Sequence, residues 1–327
     1  MLPRSMFPRG MFPRFWRLRC LLLAAFAGFA CLAFFASRSE ANPETVRLIV
    51  PGVWFREGDL DQGHSNNIII EMKDYMIVVD ANYPSGARAA MVDVKRISSK
   101  PVRYVFDTHH HGDHLYGNVL WTQAGATTLA FRGVAEELKR FEPARWQAAA
   151  KERRDVADLH MDGPEPPKQD INEDAFVLND GSRKVEFRHF GWAHTRGDGF
   201  VYLPKEQVLC TGDAVVNGPY NSVDDAYIEN WPTVLRAAEK LKVKHVLPGH
   251  GLPGGRELLT GQEQFMTELF KAVKEGAAGG KRLEELQSSI QLSTAVTPWV
   301  ADALLKQQIQ AAYAEVTQHK PRGEITN

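Results

Sequence analysis

The sequence predicts a layered α/β domain that carries extra helices at its C-terminal end. Three observations predict it. Short apolar runs of strand length alternate with stretches of helix length between about residues 46 and 250. Histidines and aspartates close several of those apolar runs, at Asp80, at His109 to His114, and at His194, Asp213 and His250. From Gly254 onward the pattern is helical throughout.

The first 41 residues stand apart from this pattern. "MLPRSMFPRGMFPRFWRLR" is basic and free of acid, and the apolar run "CLLLAAFAGFACLAFFA" follows it, which is the layout of a secretory signal peptide. The run is short for a membrane span, and Ser39 and Ala41 are small residues of the kind a signal peptidase reads, so cleavage is expected before Asn42. An uncleaved leader is the only membrane contact foreseen, and Met6 and Met11 are alternative starts. With no Arg-Arg pair ahead of the apolar run, the expected route is export of an unfolded chain to the periplasm or beyond. Cys20 and Cys31 lie in this segment, which leaves Cys210 alone in the mature chain with no internal disulfide. Residues 42–327 are read as a single domain whose helical extension begins at about residue 254.

Each element follows in order. "TVRLIVPGVWFREG" reads as a strand broken by a Pro-Gly turn, and "NNIIIEMKDYMIVVDA" as a hairpin about Lys73 and Asp74. A helix fits "SGARAAMVDVKRISS", and "PVRYVFDT" is a short strand that ends at the histidines. A longer helical stretch covers roughly residues 131–156 with an interruption near Pro143, and "DGPEPPKQDINED" reads as a proline-rich acidic loop. Two further hairpins fit "AFVLNDGSRKVEFRHF" and "GFVYLPKEQVLCTGD", before a helix at "NWPTVLRAAEKL" and a strand at "VKHVLPGH". The last stretches, "ELLTGQEQFMTELFKAVKEG" and "TPWVADALLKQQIQAAYAEV", each carry an apolar stripe suited to covering a sheet. No repeat at solenoid spacing occurs.

With 44% hydrophobic and 24% charged residues, the chain can bury a core and is not of the disordered class. Removing the leader takes six arginines and one glutamate with it, leaving 33 basic against 39 acidic residues. The mature chain is therefore near −6 rather than −1. A mildly acidic chain without a basic stripe argues against nucleic acid as a partner and leaves a small-molecule substrate.

The chemistry gathers at the strand ends, which converge on one edge of a sheet. Imidazole and carboxylate together suit zinc and other first-row metals, whereas calcium and magnesium favour oxygen alone. In "DTHHHGDH", His109 and His111 are two apart and reach the same side of a tight loop, while Asp113 and His114 are adjacent and can turn to a second point. Two metals sharing one carboxylate follow from that arrangement.

Four motifs, "HHHGDH", "GWAHTRGD", "TGD" and "LPGHG", stand in order after strands, and in them the chain resembles the metallo-β-lactamase-fold hydrolases from about Val46 to Pro253. The resemblance implies a four-layer αββα sandwich. It implies two Zn2+ per chain, the first held by His109, His111 and His194, the second by Asp113, His114 and His250, with Asp213 bridging. It also implies a hydroxide shared by the metals as nucleophile, with Asp113 orienting it and passing a proton to the leaving group. Asp80 is expected to fix the orientation of a ligand.

Around that centre, "REGDLDQGHSN" has the make-up of a mobile loop, which in the family can close over substrate, so Trp54, Phe55 and His64 are candidate substrate contacts. Tyr220 and Asn221 are candidate oxyanion donors, a plain turn at Gly218-Pro219 being the alternative. His110 is expected to point away from the metals, towards solvent or substrate. His160, His189, His245 and His319 fit no ligand slot, and Cys210 reads as a packed thiol.

Departures from the family narrow the chemistry. The commonest lactamase branch has cysteine where Asp213 stands and a lysine where this chain has Val216. Another lactamase branch lacks the bridging acid altogether. An aspartate there is the choice of glyoxalase-type thioesterases and of lactonases, yet the C-terminal helices carry no basic cluster for glutathione. The expected function is an exported di-zinc hydrolase that cleaves a lactone, β-lactam or other ester or amide bond in a small substrate. An iron-dependent oxidoreductase on the same fold and a glyoxalase-type thioesterase are the alternatives, and metal identity separates the first of these from the hydrolase.

Overall fold

The computed structural model describes residues 46–325, and the leader with its expected cleavage point lies outside the described residues. Among the described residues no helix is long and apolar enough to cross a membrane.

Both early hairpins form as the turn residues dictate. Pro51 and Gly52, the latter at φ 78°, reverse β1 (Val46–Val50) onto β2 (Val53–Arg56), and the Lys73-Asp74 turn joins β3 (Asn67–Glu71) to β4 (Met76–Val79). Helix α1 (Pro84–Ile97) begins on a proline, whose missing N–H has no partner to lose in a first turn, and carries the chain over to β5 (Val102–Phe106), parallel to β4. The one-turn α2 (Gly112–Leu115) and α3 (Asn118–Gln123) precede β6 (Thr127–Phe131). Helices α4 (Arg132–Glu152) and α5 (Arg154–Ala157) precede β7 (Gln169–Ile171). These strands form one seven-stranded sheet in the order β1-β2-β3-β4-β5-β6-β7, antiparallel up to β4 and parallel beyond it.

A second sheet is built from β8 (Ala175–Asn179), β9 (Lys184–Arg188), β10 (Phe200–Leu203), β11 (Val208–Gly212) and, after α6 (Trp231–Ala238), β12 (His245–Pro248). Its order is β12-β11-β10-β9-β8, with only β11 and β12 parallel. Helices α7 (Glu257–Ala278), α8 (Leu283–Ser289) and α9 (Asp302–Gln318) follow.

Strand periodicity sorts the side chains into four layers. Ile68 and Ile70 of β3 and Ile77 and Val79 of β4 face Phe187, Val201 and Cys210 of the second sheet, forming the core between the sheets. Their neighbours Ile69 and Val78 face the other way and pack against Ala87, Ala90 and Val94 of α1. On the outer side of the second sheet, Phe200, Leu209 and Val246 meet Trp231 and Leu235 of α6, Phe265 and Leu269 of α7, and Ile309 of α9. The order is helix, sheet, sheet, helix, as expected from the resemblance, and the C-terminal helices supply part of the fourth layer.

Three expectations about elements need correction. Helix α4 runs unbroken through Pro143, and the chain leaves helical geometry only at Arg153. Pro143 is exposed, so the carbonyl it leaves unpaired one turn back faces water, while Tyr116 Oη donates to Glu142 and buried Trp146 donates to Met161 O at 3.0 Å on the packed side. The proline-rich loop contains β7, a three-residue strand at the sheet edge. The last helical stretch begins as a 3-10 turn at Thr294–Trp299, and the α-helix starts only at Asp302 because Val300 and Ala301 between them take extended backbone.

Candidate metal centre

Every motif residue stands just beyond a strand. Asp80 follows β4 in the left-handed region at φ 67°, unusual for a residue other than glycine, and this turn aims its carboxylate at the neighbouring loop. Oδ1 accepts from Thr108 N at 2.8 Å and Oδ2 from His114 Nδ1 at 2.9 Å. His109 to His114 follow β5, with Asp113 and His114 in the short α2 and the His114 ring 4.1 Å from that of His109 between centroids. His194 sits in a loop fastened by Asp198, which accepts from the backbone N–H groups of His194 at 2.7 Å and Thr195 at 2.9 Å. Burial raises the Asp198 pKa to about 6 despite those bonds. Asp213 directly follows β11, and His250 lies two residues beyond β12. A Cβ on Gly249 would lie 2.0 Å from Asp213 Oδ1, so only glycine lets these two strand ends approach.

Two clusters result. In the first, His111 Nδ1 lies 3.1 Å from His109 Nε2 and 3.0 Å from His194 Nε2. Burial lowers the pKa of all three imidazoles, His111 to about 4, so they are neutral and carry lone pairs. In the second, Asp113 Oδ2 lies 3.0 Å from His250 Nε2 and 3.4 Å from His114 Nε2. Asp213 stands between the clusters, 3.4 Å from His114 Nε2, 3.4 Å from His250 Nε2 and 3.9 Å from His194 Nε2.

The donor set fits a metal by three tests. Lone pairs of neutral imidazoles about 3 Å apart repel unless a cation lies between them. His114 Nε2 and Asp213 Oδ1 are buried without a hydrogen-bond partner, a costly state that coordination would relieve. Burial opposes charge on His114, but Asp113, Asp213 and Asp80 outweigh it and raise its pKa well above the usual value, so this pocket attracts positive charge. His109, His111 and His194 could hold one ion, Asp113, His114 and His250 another, and Asp213 is within reach of His109 and His114 as a shared ligand.

The far nitrogens of the imidazoles are also committed. Asp80 accepts from His114 Nδ1, the carbonyl of Ser222 accepts from His194 Nδ1 at 3.1 Å, and Asp225 accepts from His111 Nε2 at 2.9 Å. Each of these bonds places the proton on the far nitrogen and leaves the lone pair facing its cluster. Asp225 also accepts from His110 Nε2 at 3.0 Å and from Arg145. Burial raises its pKa, but those hydrogen bonds prevail and hold it well below the carboxylate range.

Other candidates fall elsewhere. Phe55 is fully buried between the sheets, and Trp54, alternating with it, packs into the layer beside α1, so neither reaches substrate. His64 is buried with Nε2 2.8 Å from Ser85 Oγ, and burial with nearby Arg56 and Arg153 pushes its pKa down to about 4. It serves the packing at the start of α1. Asn221 is consumed within the protein: Oδ1 accepts from Gln262 at 2.6 Å and its carbonyl accepts from Gln308 at 2.8 Å. Its one donor group, Nδ2, faces the Trp299 carbonyl at 3.4 Å and the residue is buried, so it offers no donor to an oxyanion at the clusters. Tyr220 does border the centre, its ring centroid 5.9 Å from that of His250. His110 points away from the clusters but is fully buried against Asp225 and meets no solvent. Cys210 is a packed thiol whose pKa burial pushes up.

Sequence reasoning missed Asp225, Arg145, Asp198 and Tyr83. Asp198 was within reach as the acid four residues after His194 in "GWAHTRGD". Nothing in "NSVDDAYIEN" separates Asp225 from Asp224, and Arg145 is one basic residue among several on a long helix.

A cavity of about 390 Å³ opens onto the clusters, lined by Tyr83, His111, Asp113, Tyr116, Arg145 and Arg153 among others. Helix α4 forms one wall. Arg153 lies over the Tyr83 ring at 3.7 Å from its centroid and donates to the carbonyl of Gln62 at 2.7 Å. The 57–63 loop thus meets the cavity rim through its backbone.

Comparison with known proteins agrees with this geometry. The chain is 28% identical over 201 residues to the metallo-beta-lactamase type 2 of Bacillus cereus, a match covering 60% of this chain and 70% of that one. The metallo-beta-lactamase from Pontibacter korlensis superposes with a TM-score of 0.55 at 20% identity, over 68% of this chain and 98% of that one. The inverting sec-alkylsulfatase Pisa1 from Pseudomonas sp. superposes with a TM-score of 0.68 at 18% identity, over 83% of this chain and 50% of that one, so the shared fold extends into the C-terminal helices. Residues 60–250 match the family model of the metallo-beta-lactamase superfamily, and with the αββα layers and histidine clusters in place the chain belongs to that superfamily.

Proposed function

We propose that this chain is an exported, zinc-dependent hydrolase that opens a lactone, β-lactam or other ester or amide bond in a small substrate. The observation that carries the reading is the aim of the imidazoles: His111, His114 and His194 each have the far nitrogen held by an acceptor and the near one turned into a cluster. Membership in the superfamily supports hydrolysis. The basic and then apolar leader supports export. A nitrogen-rich set with carboxylates supports zinc.

His109, His111 and His194 would hold one ion and Asp113, His114 and His250 another, with Asp213 between them. Ions bound there supply Lewis acidity and lower the pKa of water towards neutrality. The protein's own groups supply the rest. Asp113 lines the cavity and stays ionised: burial works against its charge, but His114 and His250 outweigh burial and hold its pKa well below the usual range. It can therefore orient water by accepting its hydrogen bond, and a proton it passes to the leaving group is one it has first taken from that water. Tyr83 keeps its proton because burial, with the charge of Asp113, raises its pKa well above that of a free phenol. A phenol on the cavity wall can donate to a substrate oxygen. A cavity of about 390 Å³ is of a size that takes a small molecule, which supports a small substrate.

The test is metal content per chain, measured by plasma mass spectrometry on protein purified without added metal, followed by a screen of lactones, β-lactams and thioesters. About two zincs per chain with turnover in the screen is the expected result. Predominant iron would move the chain to oxidoreductase chemistry, and no metal even after zinc is supplied would overturn the centre itself.

A further inference from the structure

We propose that Arg145, on the wall helix α4, is a positioning residue for the first cluster: acting through Asp225, it fixes His111 with Nδ1 turned inward. The inference rests on the metal-centre reading above.

Asp225 links the two. Its side chain is buried and receives four donors: Arg145 Nη1 at 2.6 Å, His111 Nε2 at 2.9 Å and His110 Nε2 at 3.0 Å on Oδ2, and Arg145 Nη2 at 2.8 Å on Oδ1. With three donors converging on Oδ2 and one on Oδ1, this carboxylate cannot turn without breaking several bonds at once. Arg145 contributes two of the four bonds as a fork, the geometry that sets the plane of a carboxylate as well as its charge. The plane of Asp225 in turn decides that His111 Nε2 carries a proton and that Nδ1 faces His109 and His194.

Arg145 also settles a competition. His110, His111 and Asp225 lie close enough together to hold an ion of their own, through the wrong nitrogen of His111. The guanidinium fills that place, with Nη1 3.3 Å from His110 Nε2 and the carbon over the Phe141 ring at 4.8 Å. A fixed cation there satisfies the third cluster without a metal and leaves His111 to the first. Because Arg145 is 37% exposed on the cavity wall beside Ala148 and Ala149, the wall and the ligand are seated by one contact.

The experiment is a stepwise zinc titration of chelator-stripped protein against a chromogenic competitor, repeated with cobalt to read the visible spectrum of each site, on wild type, Arg145→Met and Arg145→Lys. Expected are two ions in wild type, and in Arg145→Met a loss of about 10- to 100-fold in the affinity of one ion with a changed cobalt spectrum for that ion alone. Arg145→Lys, which restores charge without the fork, should lose less at the same site. Unchanged affinities in Arg145→Met overturn the proposal, as does an equal loss at both sites, which would report general loosening. Should Arg145→Met fail to fold, the lysine variant decides by the same criterion. A wild type that binds no ion overturns the metal centre instead, so the two failures are distinct.

Discussion

Asp80 concentrates what single residues do in this protein. Its left-handed backbone, its bond from Thr108 N and its bond from His114 Nδ1 together make one side chain hold the loop and set a tautomer. Asparagine tolerates the same backbone region, so Asp80→Asn keeps the turn, and its Oδ1 can still accept from Thr108 N. Its amide nitrogen cannot accept from His114, and the imidazole gains by placing the proton on Nε2, which then faces Asp113 and Asp213. The expected outcome is zinc affinity at the second cluster about 10- to 100-fold weaker, with the melting temperature of the stripped protein nearly unchanged. Competitive titration measures the first and calorimetry the second; wild-type affinity in this variant would mean that Asp80 does not govern the tautomer. The five spots at strand ends were legible because histidine and aspartate rarely cluster beyond apolar strands without a task. Asp225 and Arg145 were not legible, since their contact spans eighty residues and no local pattern announces it.

Elements with a clean period were legible, and those governed by tertiary contacts were not. The β3-β4 hairpin alternates residues between two buried faces and has a polar turn, so its sequence specifies it locally. By contrast β7 has three residues and exists because β6 offers an edge for it, and α4 survives Pro143 because Trp146 and Glu142 anchor the opposite face. Helix α9 shows a second kind of exception. Glu315 lies on its buried stripe and accepts from the backbone N–H groups of Glu229 at 2.8 Å, Ile228 at 3.0 Å and Arg322 at 3.1 Å, tying α9 to the segment ahead of α6. Burial raises its pKa from 4.5 to about 7 although those bonds oppose the rise. The folded chain therefore binds this proton more tightly than the unfolded chain does. The stabilisation from that proton is complete below the unfolded value of 4.5 and is lost as pH rises through about 7. In Glu315→Gln the group no longer titrates, so the stability of wild type relative to the variant should decline across that window and level off above it. Urea unfolding at a series of pH values, both proteins in the same metal state, measures the difference; a flat difference would show that Glu315 enters the fold already ionised.

At the scale of the whole molecule, the candidate metal centre is a joint between two sheets. Asp80 and the residues from His109 to His114 come from the ends of the seven-stranded sheet, and His194, Asp213 and His250 from the five-stranded one, so the centre forms only when both sheets are in register across the core between them. The outer helices hold that register from behind. The apolar stripes of α7 and α9 were readable as sheet-covering faces, but the residue that locks them was not, because it sits in the 3-10 turn rather than in either helix. Trp299 packs so close to α7 that a Cβ on Gly261 would fall 1.9 Å from its ring, and its Nε1 donates at 2.9 Å to the carbonyl of Val216, three residues beyond Asp213. Removing the indole opens a large cavity, because helices held on several sides collapse only partly, and it leaves the Val216 carbonyl without its partner. Trp299→Ala should therefore cost about 3–5 kcal/mol in unfolding free energy. If the C-terminal helices belong to the same cooperative unit as the sheets, the loss appears as one shifted denaturation curve of unchanged slope, read identically by far-ultraviolet circular dichroism and by tryptophan fluorescence. An early transition that releases the helices while zinc stays bound would instead mark them as an appendage, and the second sheet would then hold Asp213 and His250 without support from behind.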